Sequence, residues 1–384
     1  MQQSFFLGED QRIFRESLAR WLEENWSVRE RQRHGAEDPG FSREAWKGLA
    51  EIGALGAFLP EEAGGAGGGG LELMIAMEAF GRALFASPFL SSVPLASPLL
   101  SAGGRQAQAL LEKIAGGAAI VTVALTEPRG RYDLNHVETR AEQRGKGHLL
   151  SGAKRGVPYA GAADWIVLPA RSAGEAREGQ GITLFLIEAG RKGMSLRSRA
   201  SADGGRAADL ELRELAAEEP DVLGEPGKGL ELLQRAVDLA ILAQCAEAVG
   251  AMRKLQESTV AYAKTREQFG ATLASFQSLQ HRMVDMFAAA ETSASRVQAA
   301  LARIAGPESA IDSRDSILTK LYVDKAARLV AQEAVQIHGG MGMTDDLDVG
   351  HYFKRLTMMA LTFADQGKLD ERYRDLQGTR GERP

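Results

Sequence analysis

The hydrophobic period of this sequence switches twice, from helical to strand-like and back, and that order limits the folds open to it. Ile13, Phe14, Leu18, Trp21 and Leu22 recur at helical spacing, as do Trp46, Leu49, Ile52 and Leu55. The glycine-rich tract AGGAGGGG at 63–70 interrupts the pattern and residues 71–85 resume it. The tract lacks the lysine and hydroxyl residue of a phosphate-binding P-loop, so it reads as a flexible connector between helices. From about residue 119 the period shortens. AIVTVAL (119–125), DWIVLP (164–169), ITLFLI (182–187) and the alternation ADLELRE (208–214) have strand character. No ten-residue helical pattern lies between them, which favours a mostly antiparallel sheet or barrel over a dinucleotide-binding α/β fold. From residue 226 the long period returns. Leu230, Leu233, Val237 and Ile241 begin a helix that runs towards Tyr262, followed by helices over 276–304 and 316–337, with Asp312, Ser313 and Ser316 as N-cap candidates. The pattern predicts an α+β multidomain chain: an N-terminal helical domain (1–118), a β domain (119–225), and a C-terminal helical bundle (226–384) that supplies an oligomer interface.

Bulk properties narrow the function. A chain of 384 residues with 44% hydrophobic and 25% charged content has the composition of a globular protein with substantial cores. The net charge of −5 argues against nucleic acid as a partner. The single Cys245 excludes an internal disulfide framework, fits a reducing cytoplasm, and sits in an apolar helical run where it reads as buried filler. Six scattered histidines without metal-ligand spacing argue against a metal site. The N-terminal MQQSFFLGEDQR has neither a basic region nor a long apolar run, so no secretory signal is expected, and no stretch is apolar enough for a membrane span.

Two motifs point to a ligand. In QIHGGMG (336–342) a polar amide, a histidine and three glycines follow directly on an amphipathic helix. A helix C-cap needs one glycine; three allow the backbone to turn and to approach a ligand closely. In YAKTREQFG (262–270), Arg266 precedes a turn at Phe269-Gly270, where a guanidinium can hold a phosphate through two donors. Phe276, Gln277 and Gln280 follow on the next predicted helix.

With these motifs in place, the chain resembles the acyl-CoA dehydrogenase family. LTEP (125–128), YAKTREQFGATLASFQSLQ (262–280) and QIHGGMG (336–342) stand in the family's order, and PEEAGGAG (60–67) and GRAL (81–84) are similar to its N-terminal domain. The resemblance implies a helical domain, a central antiparallel β-barrel or sandwich and a C-terminal four-helix bundle. It implies FAD as cofactor. Leu125 and Thr126 match positions at the flavin ring, and Val157, within KRGVPYAGAADW (154–165), falls in the next flavin-facing β motif. Arg266 matches the arginine that reaches the FAD pyrophosphate, with Gln268 and Phe269 flanking it, and Phe276, Gln277 and Gln280 lie on the FAD-facing helix. Gln336, Gly339 and Gly340 match positions that hold the adenosine and pyrophosphate of a neighbouring subunit's FAD, so binding would require oligomerisation. The implied chemistry is α,β-dehydrogenation of an acyl-CoA thioester, a carboxylate removing the α-proton as hydride leaves Cβ for the flavin, with electrons passed on to an electron-transfer flavoprotein.

The departures from the family are as informative. Counting onward from Gln336, the family's commonest glutamate base falls on Phe363; its second location, on the first long helix of the bundle, falls on Ala240. Asp238 is the nearest carboxylate to the latter, but two residues is roughly 200° around a helix, so it is a weak base candidate whose plainer role is a solvated helix residue. After LTEP, where many relatives have small residues and a serine, this chain has Arg129, Arg131 and Tyr132. Val157-Pro158 and LTFADQGKLD (361–370) resemble a bacterial branch acting on branched, dicarboxylic or steroid-derived acyl-CoAs, which often pairs two unlike subunits, and the chain is similar to the smaller one. The expectation is an FAD-dependent acyl-CoA dehydrogenase, as a homo-oligomer or a heteromer with a related subunit. The alternative is a catalytically degenerate subunit that completes its partner's FAD site. A flavin oxidase or monooxygenase on the same fold is a third option.

Overall fold

The computed structural model describes residues 7–381; the first six residues, on which the leader-peptide expectation partly rests, lie outside them. The first layer comprises α1 (Glu9–Asn25), α2 (Val28–Ala36), α3 (Arg43–Glu51), α4 (Gly70–Ala83), α5 (Ser97–Ser101) and α6 (Arg105–Ala115). The helical stripes face inward as spacing predicts: Leu18 and Leu22 of α1 and Trp46 and Leu49 of α3 are buried, while Ile13 stays exposed. The glycine tract is not a flexible connector. Its backbone is bonded to the preceding turn (Ala66 N–H to the Gly56 carbonyl, Gly67 to Leu59, Gly68 to Ala57) and to Ile304 through Gly70. A Cβ on Gly65 would lie 2.2 Å from the Leu59 carbonyl oxygen and one on Gly70 2.1 Å from that of Leu301. The glycines are there because backbone passes against backbone.

The sheet follows: β1 (Val121–Val123), β2 (Arg140–Arg144), β3 (Gly147–Pro158), β4 (Trp165–Arg171), β5 (Ile182–Glu188), β6 (Met194–Ala200), β7 (Arg206–Ala217) and β8 (Val222–Leu223). Its order is β6-β7-β3-β2-β4-β5-β8, with β1 beside β4. The pairs are antiparallel except β1 with β4 and β2 with β4. β4 and β5 are buried at nearly every position, which is why they read as continuous apolar runs. β6 lies exposed along its length and β3 bends at two bulges, so neither has the alternation that marks a strand in sequence.

The last layer contains α7 (Gly229–Thr265), a hairpin of β9 (Glu267–Gln268) and β10 (Ala271–Thr272), then α8 (Gln277–Leu301), α9 (Ser313–His338), α10 (Val349–Ala360) and α11 (Gln366–Gly381). α7 to α10 form the four-helix bundle, centred on α9. Asp312 caps α9 by accepting the Arg314 N–H at 3.0 Å. Among the described residues no helix is long and apolar enough to cross a membrane. Cys245 is buried in α7, and burial pushes its thiol up to about 12.

α4 and α7 cross at near backbone contact. A Cβ on Gly81 would lie 1.8 Å from the Glu247 carbonyl oxygen, and one on Gly250 1.9 Å from that of Glu78. Gly250→Ala should therefore force the helices apart and lower stability by about 1–3 kcal/mol in denaturant unfolding; a change within about 0.5 kcal/mol would contradict so tight a crossing. At the same crossing, burial pushes the Glu78 carboxyl up to about 7, although Arg253 at 3.1 Å pulls it back. The folded state thus holds this proton more tightly than the unfolded chain. That contribution is present below the ordinary value of 4.5 and is lost as pH rises through about 7. Denaturant unfolding across this window should show a loss with rising pH that Glu78→Gln removes; an unchanged pH profile in the variant would contradict the assignment.

Candidate active site

A cavity of about 480 Å³ opens where the three layers meet. The loop after β1 contributes Leu125 and Thr126, β3 contributes Val157, α7 contributes Val237 and Gln244, and the turn after α10 contributes Phe363. The loop after β1 is fixed by a buried ion pair. Glu127 Oε1 accepts from Lys154 Nζ at 2.7 Å and from Thr139 Oγ1 at 2.6 Å, and the Arg155 N–H donates to the Thr126 carbonyl at 2.8 Å. Burial alone would raise the Glu127 carboxyl; the Lys154 ammonium outweighs it and holds the group below the usual carboxylate range. Leu125 and Thr126 are thereby positioned beside Val157 of β3.

One side of the cavity rests on a buried charge cluster drawn from four elements. Arg355 of α10 donates to both oxygens of Glu247 of α7 at 2.8 Å and to Asp203, in the β6–β7 turn, at 2.7 Å. Arg31 of α2 donates to the Leu84 carbonyl at 2.7 Å and to the Asp203 carbonyl. Burial pushes Asp203 up, but Arg355, Ser201 and Arg31 together bring it down to about 2. Burial raises Glu247 above its ordinary value, partly offset by Arg355, and drives the Tyr159 phenol up to about 12. Two cations face two anions, so the cluster is neutral as a unit. Asp203→Asn should leave two guanidiniums against one carboxylate and cost about 3–5 kcal/mol of stability; a loss below about 1 kcal/mol in chemical denaturation would show that the cluster is not the tie described.

The remaining positions expected at a cofactor lie elsewhere on the chain. Arg266, Gln268 and Phe269 sit on and before the β9–β10 hairpin, all exposed, with Phe269 93% accessible. Phe276 is the N-cap of α8 and meets Phe269 edge-on at 6.4 Å; it is not on the helix face that spacing predicts. Gln277 is exposed, and Gln280 Nε2 donates to the Ala274 carbonyl at 2.8 Å, closing the loop before α8. Tyr262 stacks on His338 at 4.3 Å, so the ends of α7 and α9 adjoin and bring the hairpin near Gln336, Gly339 and Gly340. Gly339 has φ 60 and ψ −140, a conformation open to glycine, and nothing stands within 4 Å of a Cβ built on Gly339 or Gly340. Among the described residues Arg266 makes no ion pair. An unpaired guanidinium, a bare glycine backbone and a projecting aromatic ring suit a pyrophosphate with an attached ring system. The cavity wall of Leu125 and Val157 suits a flat apolar ring. Arg266, Phe269, Gln336, Gly339 and Gly340 are not among the residues that line the cavity of Leu125 and Val157.

Among the described residues no free carboxylate faces the cavity. Phe363 lines it at the position reached by counting from Gln336, held at φ 64. Ala240 is fully buried on α7. Asp238 is not a solvated residue: it is buried, accepts from Ser313 at 2.5 Å and from Ser316 at 2.6 Å, and ties α7 to α9 away from the cavity. Ser313 and Ser316 are spent on Asp238, not on capping α9. The acidic residues that do line the cavity are both engaged, Asp203 in the charge cluster and Asp133 with Lys368. Tyr132 lines the cavity and donates to the Leu361 carbonyl at 3.1 Å, clasping the turn that holds Phe363. Sequence reasoning missed Gln244 and the charge cluster. Gln244 was visible as an amide inside the apolar run AILAQCAEAV (240–249); the cluster unites residues too far apart in the chain to leave a local signal.

Comparison with known proteins gives three family profiles in succession: acyl-CoA dehydrogenase, N-terminal domain over 8–118, middle domain over 122–216 and C-terminal domain over 227–363. Acryloyl-CoA reductase (NADH) of Anaerotignum propionicum is 30% identical over 82% of this chain and 81% of its own length. The ChsE4–ChsE5 complex from Mycobacterium tuberculosis superposes with TM-score 0.86 at 26% identity, covering 99% of this chain and 100% of that one. A structure from work on the electron-transferring flavoprotein of Acidaminococcus fermentans superposes with TM-score 0.89 at 25% identity over 97% of this chain and 99% of that one.

Proposed function

The chain belongs to the acyl-CoA dehydrogenase family, and from that premise we propose that it binds FAD and an acyl-CoA thioester and acts in α,β-dehydrogenation of the acyl group to the 2-enoyl-CoA. The observation that supports this reading is the cavity itself, lined by Leu125, Thr126 and Val157 on one side and by Phe363, the residue reached by counting onward from Gln336. FAD supplies the hydride acceptor that no side chain can provide. Leu125 and Val157 exclude water from its ring and Thr126 offers polar contact at the edge. Arg266 neutralises the pyrophosphate, and Gln336, Gly339 and Gly340 admit the adenosine end against bare backbone. Gln268, Phe269, Phe276 and Gln277 border that surface, while Gln280 shapes its loop. Because the two surfaces are separate in one chain, a second subunit completes the site, either another copy or a related dehydrogenase chain. Similarity to the ChsE4–ChsE5 complex supports the heteromer, and similarity to the Acidaminococcus structure supports an electron-transfer flavoprotein as the electron acceptor.

A second reading, a catalytically degenerate subunit, has its own observation: neither Phe363 nor Ala240 offers a base, and Asp203 at about 2 is too weak a one. The isolated chain would then hold its partner's cofactor without turning over acyl-CoA. Replacing Phe363 by glutamate separates the readings. With flavin retained in the visible spectrum, Phe363→Glu should raise single-turnover flavin reduction by an acyl-CoA panel by about 10²–10⁴ over the parent chain. No gain with intact flavin would overturn the placement of Phe363 at the base position, and rapid reduction by the parent chain would overturn the degenerate reading.

A further inference from the structure

Gln244 is the one amide on the face of α7 that lines the cavity, and it is 3% exposed. Its Oε1 is buried without a hydrogen-bond partner. Ser91, 4% exposed, lines the same cavity, and its hydroxyl has no hydrogen-bond partner among the described residues, whereas the hydroxyl of its neighbour Ser92 is spent on the Val121 carbonyl at 2.8 Å. Leu90 and Leu95, from the same segment as Ser91, and Val237 of α7 line the cavity with apolar side chains. A pocket shaped for a plain hydrocarbon chain would be lined by such residues throughout, because a buried polar group left unpaired opposes both folding and binding. Val237 and Gln244 are two helical turns apart, about 10 Å along α7. With the thioester taken at the Val237 end, Gln244 stands well along the acyl chain, and the segment that carries Ser91 packs against the same helix.

The geometry points to an acyl group that bears an oxygen function, a hydroxyl or oxo group, away from its thioester, with the Gln244 amide and the Ser91 hydroxyl as the specificity-determining contacts. This rests on the acyl-CoA reading above and narrows its substrate class. A hydroxyl donates to Gln244 Oε1 and an oxo group accepts from the amide or from Ser91, so each satisfies a group that the protein leaves open. Sites of this kind discriminate strongly, because the ligand lacking the oxygen leaves the buried polar groups unpaired.

The test is calorimetric titration of the flavin-loaded protein with hexanoyl-, octanoyl- and decanoyl-CoA and the ω-hydroxy form of each. The expected result is a hydroxylated member that binds about tenfold or more tightly than its plain counterpart. In Gln244→Leu the preference should vanish or reverse, while the plain chain binds at least as well as before. Gln244→Glu, which keeps an acceptor, should retain part of the preference for the hydroxyl and serves as a second variant if the leucine fails to fold. Equal affinities within every pair, or a preference that survives in Gln244→Leu, would overturn the inference and leave the acyl-CoA reading intact; bound water would then be satisfying the amide. No binding of any thioester would overturn both.

Discussion

The buried exchange between Arg355, Glu247, Asp203 and Arg31 is the constraint on which the rest of the structure depends. It draws one residue each from α10, α7, the β6–β7 turn and α2, so it closes only when all three layers are docked. Neutral as a set, it tolerates burial; with any member removed, an uncompensated charge remains inside. It therefore specifies one relative placement of helices and sheet, which hydrophobic contact alone defines loosely. The cavity is the space left beside that placement. Val237 and Gln244 reach it because Gly81 and Gly250 bring α7 against α4, and Val157 reaches it because β3 bends at its bulge.

The same architecture explains why the cofactor surfaces are separated. The loop after β1 points into the junction of layers, whereas the hairpin after α7 and the turn after α9 stand at the far end of the bundle, tied by Tyr262 and His338. In the function proposed above, a ligand with a flat ring at one end and a pyrophosphate beyond it would meet both surfaces where two chains associate. Phe269, exposed almost completely and held at φ 56, fits a surface that another chain covers. The turn that carries Phe363 is independently built: Ala364 and Leu369 pack on Ile317, and Tyr132 clasps Leu361. That support holds an aromatic residue in a left-handed conformation a bulky side chain does not adopt unaided.

Legibility in the sequence followed burial pattern. The long helices were plain because each presents a wide apolar stripe, and β4 and β5 because burial on both faces makes them uniformly apolar. β6, exposed, and β3, bent at Gly152 and Gly156, carried no such signal. The glycine tract at 63–70 was misread because composition does not distinguish a loose linker from backbone pressed on backbone. Local motifs single out Thr126, Arg266 and Gly339 as candidates, and of these Thr126 lines the cavity. Nothing local announced that Arg31 meets Asp203, or that Asp238 is consumed by Ser313 and Ser316, since those contacts exist only once distant helices have packed.

The central claim is that the FAD site is completed by a second chain. Its most direct measurement is flavin content in a mixed dimer purified through two different tags, one copy carrying Val157→Arg and the other Arg266→Glu. Each variant alone should assemble without flavin absorbance after reconstitution. The mixed dimer retains one intact pair of surfaces and should hold about half the wild-type flavin per chain. A mixed dimer devoid of flavin, where the wild type binds it, would mean that Val157 and Arg266 serve one site within one chain, and would contradict the account.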